Sequence, residues 1–156
     1  MMLEGRQRLM PEGHWQWSIP VPFSQGWRVG NLVFVGGQIS SDDHGRTIGV
    51  GDIEAQTRNV FENIRRVLAE AGATMQDIVK FNTFYVYDGP PETITDYWEK
   101  MTRVRMEFFE EPAACGTGVR VTGLAYPDLL IEVEAIAVIP PERMPRSEAG
   151  SAGGGY

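Results

Sequence analysis

Cysteine is almost absent from this sequence, since Cys115 is the only one among 156 residues. A single cysteine cannot form an internal disulfide, which fits a reducing compartment. Long hydrophobic runs are absent too, because no apolar stretch approaches the roughly 20 residues that span a bilayer. The first 17 residues lack the apolar core of a signal peptide. We therefore expect a soluble, cytoplasmic protein without a membrane partner.

Basic residues are scarce as well, because 14 lysines and arginines stand against 21 acidic residues and leave a formal net charge of −7. Nucleic-acid binding begins with neutralisation of phosphates by basic side chains, so we expect no nucleic-acid partner. His14 and His44 are isolated from any cysteine or acidic cluster and predict no metal. The glycines of residues 49–51 lack the spacing of a phosphate-binding loop, so we expect no nucleotide and no other cofactor.

The sequence does have the composition of a single globular domain, with 42% apolar and 22% charged residues. Residues 129–139, LLIEVEAIAVI, are rich in β-branched side chains and contain no glycine or proline, so they predict a central strand. Glu132 and Glu134 lie two residues apart and therefore project from one face of the sheet. Acids in a core strand are costly unless something pairs, hydrates or uses them.

The periodicity of the chain predicts an α+β fold of order β-β-α-β-α-β-β. The predicted elements are strands over 24–29 and 32–36, a helix from Asp52 to Gly72, a strand over 78–87, a helix over about 93–109, and strands over 117–124 and 129–138. Both helices would cover one face of a single sheet. The other face, which carries Glu132 and Glu134, would then be buried by self-association, so we expect a homo-oligomer.

The chain divides into an N-terminal arm over residues 1–20, a folded domain over 21–139 and a C-terminal tail over 140–156. The tail has too little apolar surface to fold, and we expect it to be flexible. Trp15 and Trp17 in the arm have two interpretations. They dock on an apolar surface such as a neighbouring subunit, or they cap the core of their own domain.

Six local strings stand out along the chain: PFSQ at 22–25, VGNLVFVGGQI at 29–39, DIEAQT at 52–57, AGA at 71–73, DIVK at 77–80 and IEVEAIAV at 131–138. Together they resemble the RidA/YjgF family of reactive-intermediate deaminases. The resemblance covers roughly residues 21–139, in order and at family spacing. It implies a chorismate-mutase-like α+β sandwich and a homotrimer. It also implies clefts between subunits that hydrolyse enamines and imines to ketones and ammonia.

One residue that the resemblance leads us to expect is missing. Active deaminases of this kind carry an arginine that grips the substrate carboxylate, and its place falls on Ala114 or Gly116, depending on where a short insertion lies. A charge-assisted hydrogen bond contributes roughly 1.5–3 kcal/mol, so its loss would penalise an α-imino acid. Either the substrate lacks that carboxylate, or another cation holds it, or the cleft is no longer a deaminase.

Other positions of the implied site also differ. Phe23 stands for a tyrosine, Gly36 for a small hydroxyl residue and Thr102 for an amide. Glu132 is retained, and the resemblance implies that it orients the attacking water. We predict Glu132 as the catalytic residue, a general base or water anchor, against the alternative of a structural acid. Phe23, Thr102 and the backbone of Gly36 and Gly37 are predicted to line the pocket.

The strand after the second helix supplies the remaining candidates, Cys115, Gly116, Gly118 and Arg120. In an unbulged strand Gly116, Gly118 and Arg120 share a face, so Arg120 is a candidate surrogate for the missing arginine. It could equally pair with Glu132 and neutralise it. Cys115 lies beside the cleft loop, but a lone cysteine is more often a small buried hydrophobe than a nucleophile.

These observations favour a hydrolase that releases ammonia from an enamine or imine, with water positioned by Glu132 in a cleft between subunits. The alternative is a ligand-binding or regulatory trimer that retains the cleft without the chemistry. A third hypothesis is an interaction protein that uses the tryptophan-containing arm. Glu132 in reach of water favours the first hypothesis, whereas an ion pair between Glu132 and Arg120 that fills the cleft favours the second.

Overall fold

A computed structural model describes residues 1–146 of the chain. Its strands are Met2–Leu3 (β1), Arg6–Leu9 (β2), Gly26–Val29 (β3), Leu32–Ile39 (β4), Ile78–Val86 (β5), Cys115–Val121 (β6) and Ile131–Val138 (β7). They form one sheet of seven strands in the order β1-β2-β3-β4-β7-β5-β6. Neighbouring strands are antiparallel except for β5 and β6, which are parallel.

Two helices form the second layer. Helix α1, Ile53–Glu70, begins after Asp52, whose side chain accepts a hydrogen bond from the Ala55 amide at 3.0 Å. Its end agrees with the predicted terminator, since Gly72 adopts a φ of 77°. Helix α2, Ile94–Arg105, is shorter than the predicted helix over 93–109. No helix within residues 1–146 is long and apolar enough to cross a membrane.

The two faces of the sheet differ sharply. Both helices pack on one face, which we call the helix face, and the β7 side chains that point to it are at most 3% exposed, namely Ile131, Val133, Ala135 and Ala137. The other face, which we call the open face, carries Glu132 and Glu134. Exposed apolar side chains accompany them there, including Leu32, Phe34 and Val119. The α+β fold with two helices on one face of a single sheet is therefore confirmed.

The segment predicted as an arm contributes two strands that the sequence pattern did not indicate. A two-residue turn joins β1 to β2, with φ of 45° at Glu4 and 77° at Gly5. β2 continues the sheet by pairing with β3, and Leu9 at its end is fully buried in the core. These strands escaped prediction because β1 has two residues and β2 has four, too few for a clear alternation.

The C-terminal segment is described only as far as residue 146. Pro141–Arg143 forms a 3₁₀ helix, and the guanidinium of Arg143 donates to the carboxylate of Asp77 at the start of β5. Residues 147–156, which include most of the predicted tail, lie outside the described residues.

Candidate functional site

The carboxylate of Glu132 lies beside a break in the pairing of β4 with β7. Strand β4 pairs with β7 up to Val35 and again from Gln38, so residues 36 and 37 form a β-bulge. A side chain at Gly37 would place its Cβ 2.0 Å from Glu132 Oε1, so the carboxylate fits only against a glycine. Within residues 1–146 this carboxylate has no hydrogen-bond or ion-pair partner. It is therefore free to act on water or a ligand.

Burial sets the proton affinity of Glu132. The side chain is half-buried, and its pKa is raised by burial first and by the negative charge of Glu134 second. A carboxylate with a raised pKa takes a proton from water more readily than an ordinary glutamate does. Glu134 is exposed, and its Oε1 accepts a hydrogen bond from Asn82 Nδ2 at 3.0 Å. The two acids thus differ, since one is unpaired and the other is held by an amide.

An open groove of about 450 Å³ runs along the open face next to these acids. Its lining combines apolar and polar side chains, among them Ser24, Trp27, Phe34, Lys80, Asn82 and Glu134. Phe34 is 42% exposed, although its ring belongs to a central region of the sheet. An aromatic ring left in this position is typical of a surface that a ligand or another chain covers.

Gln38 anchors the bulge from the interior of the protein. Its side-chain oxygen accepts hydrogen bonds from Trp15 Nε1 at 3.0 Å and from His14 Nε2 at 2.7 Å. An indole N–H can only donate, so the amide oxygen faces it and His14 Nε2 carries the proton. Gln38 Nε2 donates to Gln25 Oε1 at 2.9 Å and to the Gly36 carbonyl at 3.0 Å. This buried network holds the bulge at residues 36 and 37 in place, and the Glu132 carboxylate lies against that bulge.

The N-terminal tryptophans form an aromatic cluster against their own domain. Trp15 is 3% exposed and packs on Ile39, the β4 residue that pairs with Glu132. The Phe23 ring lies 5.7 Å from the Trp15 ring and 6.0 Å from the Trp17 ring, between centroids. The structure supports the second interpretation of the tryptophans, in which they cap the core of their own domain. It places Phe23 at the end of the sheet where Glu132 lies.

Three predicted site residues lie on the helix face instead. The hydroxyl of Thr102 donates to the Trp98 carbonyl at 3.0 Å within α2. A Cβ at Gly118 would lie 2.6 Å from the Trp98 ring, and a Cβ at Gly116 would lie 2.3 Å from the Phe81 carbonyl oxygen. Each glycine therefore lets a neighbour approach the edge strand β6. Within one chain these residues are separated from Glu132 by the sheet.

Arg120 shares the helix face with the glycines, as the sequence predicts. Its guanidinium carbon lies 5.4 Å from the centroid of the Tyr87 ring. Because Arg120 and Glu132 point to opposite faces, no ion pair joins them within one chain. Cys115 faces the other way, onto the open face, where its exposed thiol donates to the Val79 carbonyl at 3.2 Å. It is not the buried hydrophobe of the alternative interpretation.

Sequence reasoning missed Arg105 at the end of α2. Its guanidinium carbon lies 5.8 Å from the centroid of the Phe81 ring, and Phe81 pairs with Gly116 in β6. Arg105 and Thr102 line the same small cavity. The signal in the sequence was their spacing, since residues three apart are neighbours on a helix surface. The structure thus places a cation near Thr102 and over Phe81, the strand partner of Gly116.

Comparison with known sequences identifies relatives across most of the chain. The model of the family described as endoribonuclease L-PSP matches residues 18–139. A RutC family protein of Pyrococcus abyssi is 44% identical over 116 residues, which cover 74% of this chain and 85% of the relative. The 3-aminoacrylate deaminase RutC of Acinetobacter baylyi is 34% identical over 116 residues, which cover 74% of this chain and 86% of the relative.

Solved structures share the fold. A member of the YjgF/YER057c/UK114 family from Mycobacterium tuberculosis has a TM-score of 0.61 and 32% sequence identity, covering 75% of this chain and 86% of that one. The E. coli protein TdcF, solved with bound serine, has a TM-score of 0.72 and 25% identity, covering 86% of this chain and 99% of that one. The family match over residues 18–139 contains strands β3 to β7 and both helices.

Proposed function

Because the chain belongs to the RidA/YjgF family, described also as endoribonuclease L-PSP, we propose that it hydrolyses an enamine or imine to a carbonyl compound and ammonia. The deaminase relative at 34% identity supports this class of reaction. The observation that carries the proposal is the half-buried carboxylate of Glu132, which lies against Gly37 and has no partner within residues 1–146. We further propose a cytoplasmic setting, in keeping with the exposed thiol of Cys115.

In the proposed reaction Glu132 accepts a proton from water while the water oxygen bonds to the carbon of the C=N group. An enamine reacts as its imine tautomer. The imine nitrogen takes up a proton from solvent, which gives a neutral aminoalcohol. Glu132 then returns its proton to the nitrogen, the C–N bond breaks, and ammonia leaves as the hydroxyl loses its proton to solvent and becomes the carbonyl. A carboxylate with a raised pKa suits this role because it both accepts and returns the proton.

A cleft shared by two copies of the chain would unite the predicted site residues. Glu132, Gly37 and Cys115 lie on the open face or at its bulge, whereas Thr102 and Arg120 lie on the helix face. One chain cannot bring both sets to a single ligand, because its own sheet lies between them. We propose a homotrimer in which one chain supplies Glu132 and a neighbour supplies the helix-face residues. The exposed apolar side chains of the open face supply a surface for this association.

RNA cleavage is the second activity that the family description suggests. The chain has a net charge of −7 and a sequence pI of about 4.8, and a nucleic-acid backbone would be repelled by such a protein. A trimer that binds a small molecule without chemistry is the stronger alternative. It is favoured by the absence of an arginine at Ala114 and Gly116.

The test is ammonia release from freshly generated imines and enamines, 2-iminopropionate among them, with wild type beside Glu132→Gln. We expect acceleration by the wild type and a loss of about 100-fold or more in the variant, the size typical of a removed general base. No acceleration by the wild type on any substrate would contradict the deaminase proposal. The trimer would then be screened for bound small molecules instead.

Glu134→Gln is the matched control, because it removes the neighbouring acid and leaves the base in place. Glu134 contributes to the raised pKa of Glu132, so removing its charge lowers the pKa of Glu132. We expect this variant to remain active, with the acid limb of its kcat/KM profile moved to lower pH. If both substitutions abolished activity equally, Glu132 would have no distinct role.

A further inference from the structure

His14 is buried although its side chain can take up a charge. It is 1% exposed, whereas His44, the other histidine of the chain, lies exposed in a loop. Nε2 of His14 donates to Gln38 Oε1 at 2.7 Å, and Nδ1 has no hydrogen-bond partner within residues 1–146. A second proton on the ring therefore has to enter at Nδ1, and the positive charge it brings has no acceptor there. A buried charge of this kind is costly.

The charges that act on His14 come from helix α1. Burial is the largest influence and lowers the pKa of His14, while Arg66 opposes protonation and Glu70 favours it. The hydrogen bond to Gln38 also favours the protonated ring, but it does not outweigh burial. Both α1 side chains already hold the segment around His14. Arg66 Nη2 donates to the Glu12 carbonyl at 2.8 Å, and Glu70 Oε1 accepts from a backbone amide at 3.1 Å.

A single side chain, Gln38, connects His14 to the bulge beside the candidate base. Gln38 Nε2 donates to the Gly36 carbonyl at 3.0 Å, while its amide oxygen accepts from the His14 ring. The Glu132 carboxylate lies against the same bulge. The orientation of the Gln38 amide, and with it the bulge, therefore depends on the ring staying in its buried place.

We propose that His14 is a positioning residue that acts through Gln38: its neutral ring holds the bulge beside Glu132, and protonation of the ring in acid releases it. A charged imidazole is more stable in water than in the buried site, so the segment that carries His14 opens. The family match begins at residue 18, so His14 lies outside the matched region. Its effect on ammonia release rests on the proposed function, whereas its hold on the bulge does not.

Acid should weaken the folded state through this histidine. In the unfolded chain a histidine has a pKa of about 6.5, and burial lowers the pKa of His14 in the folded chain. Below about pH 6.5 the unfolded state therefore binds more protons at this residue than the folded state does. The stability that the neutral ring contributes is fully present above that pH. It is lost as the pH falls, by up to about tenfold in the folding equilibrium constant per pH unit.

The experiment compares wild type with His14→Gln by urea denaturation and by amide hydrogen exchange, at about pH 7 and about pH 5.5. Glutamine keeps an N–H donor for Gln38 and gains no proton in this range. We expect the folding equilibrium constant of wild type to fall about threefold or more beyond that of the variant. The Gly36 amide, which donates to the Gln25 carbonyl at 2.8 Å, should lose protection from exchange in acid in wild type and keep it in His14→Gln. In an active chain, kcat/KM should show the same difference.

His44→Gln is the matched control, because it removes the exposed histidine and leaves the buried one. It should follow wild type in both measurements. If His14→Gln does not fold, the histidine ring signals of wild type in NMR give the same test, with His44→Gln identifying which signal is which. The His14 signal should keep its neutral position until the Gly36 amide loses protection.

Equal pH dependence of stability in wild type and His14→Gln would overturn the proposal. A difference in stability without any change at the Gly36 amide would overturn it too, because His14 would then stabilise the fold without holding the bulge. So would a His14 ring that titrates while Gly36 stays protected. A chain whose bulge opens in acid through His14 but which releases no ammonia at any pH would contradict the proposed function alone, so the two proposals can fail separately.

Discussion

Glycine at position 37 is required by the carboxylate beside it rather than by backbone conformation. Its Cβ would overlap Glu132 Oε1, and no positive φ is involved. Gly116 and Gly118 have a different reason, since Cβ atoms there would meet the Phe81 carbonyl and the Trp98 ring. The same residue type thus has two roles: it makes room for the Glu132 carboxylate at one position and for a packing neighbour at the others.

Gly37→Ala is expected to displace the Glu132 carboxylate while the fold survives, because the clashing atom is the end of a flexible side chain. We expect kcat/KM for ammonia release to fall about 10- to 100-fold, the size that a displacement of about 1 Å produces. The thermal midpoint should change little. Gly123→Ala, where no atom lies within 4 Å of the added Cβ, should behave as wild type. An unchanged rate in Gly37→Ala would show that the carboxylate is not held where the reaction needs it.

Some of this site could be read from the sequence and some could not. Period-two alternation placed Glu132 and Glu134 together on the uncovered face, because side chains in any regular strand alternate. Arg105 was not predicted, because an arginine on a helix is usually a solvated side chain. What distinguishes it is the lack of a counter-charge beside Phe81, and that depends on how α2 packs over β5.

Strand β4 combines two functions that a regular strand could not perform. It pairs with β7 at both ends, and it bulges at residues 36 and 37 so that its backbone approaches Glu132. Gln38 follows the bulge, points inward and uses both donors and both acceptor positions of its amide. The segment that carries His14 and Trp15 therefore stabilises the bulge from the interior of the protein.

Gln38→Met should destabilise the protein strongly, because several buried polar groups would lose their partner at once. We expect the free energy of unfolding to fall by roughly 3 kcal/mol or more, since each buried unsatisfied group costs about 1–3 kcal/mol. Urea denaturation measures the change. Gln16→Met, an exposed glutamine of the same segment, should cost less than about 0.5 kcal/mol. A loss of under about 1 kcal/mol in Gln38→Met would mean that water replaces the amide.

The secondary structure was predictable where periodicity and end signals agreed. Helix α1 begins after Asp52 and ends before Gly72, as the sequence indicates. Both signals depend only on neighbouring residues, because Asp52 caps the first turn and Gly72 adopts the left-handed conformation that ends a helix. The hairpin of β1 and β2 was not predictable, because its turn places Glu4 at a positive φ that few non-glycine residues adopt. The inward packing of Trp15 depends on Gln38, 23 residues away, and no local pattern encodes it.

The proposed site residues of a single chain fall into two sets on opposite faces of its sheet. The uncovered sheet face indicated self-association from the sequence, but not which predicted residues each set would contain. The pairing of the strands shows which residues lie on which face. Glu132 pairs with Phe84 on the open face, and Gly116 pairs with Phe81 on the helix face. Catalysis and assembly should therefore be lost together.

Phe34→Glu tests this dependence, because it places a charge in the apolar part of the open face, where the ring is 42% exposed. We expect wild type to have about three times the chain mass of 17.4 kDa by light scattering, and the variant to have the mass of one chain. Ammonia release should disappear with the assembly, since no neighbour would then supply the helix-face half. Val50→Glu, which is 64% exposed in a loop, should change neither quantity. A dissociated Phe34→Glu that retained full activity would mean that one chain contains the whole site.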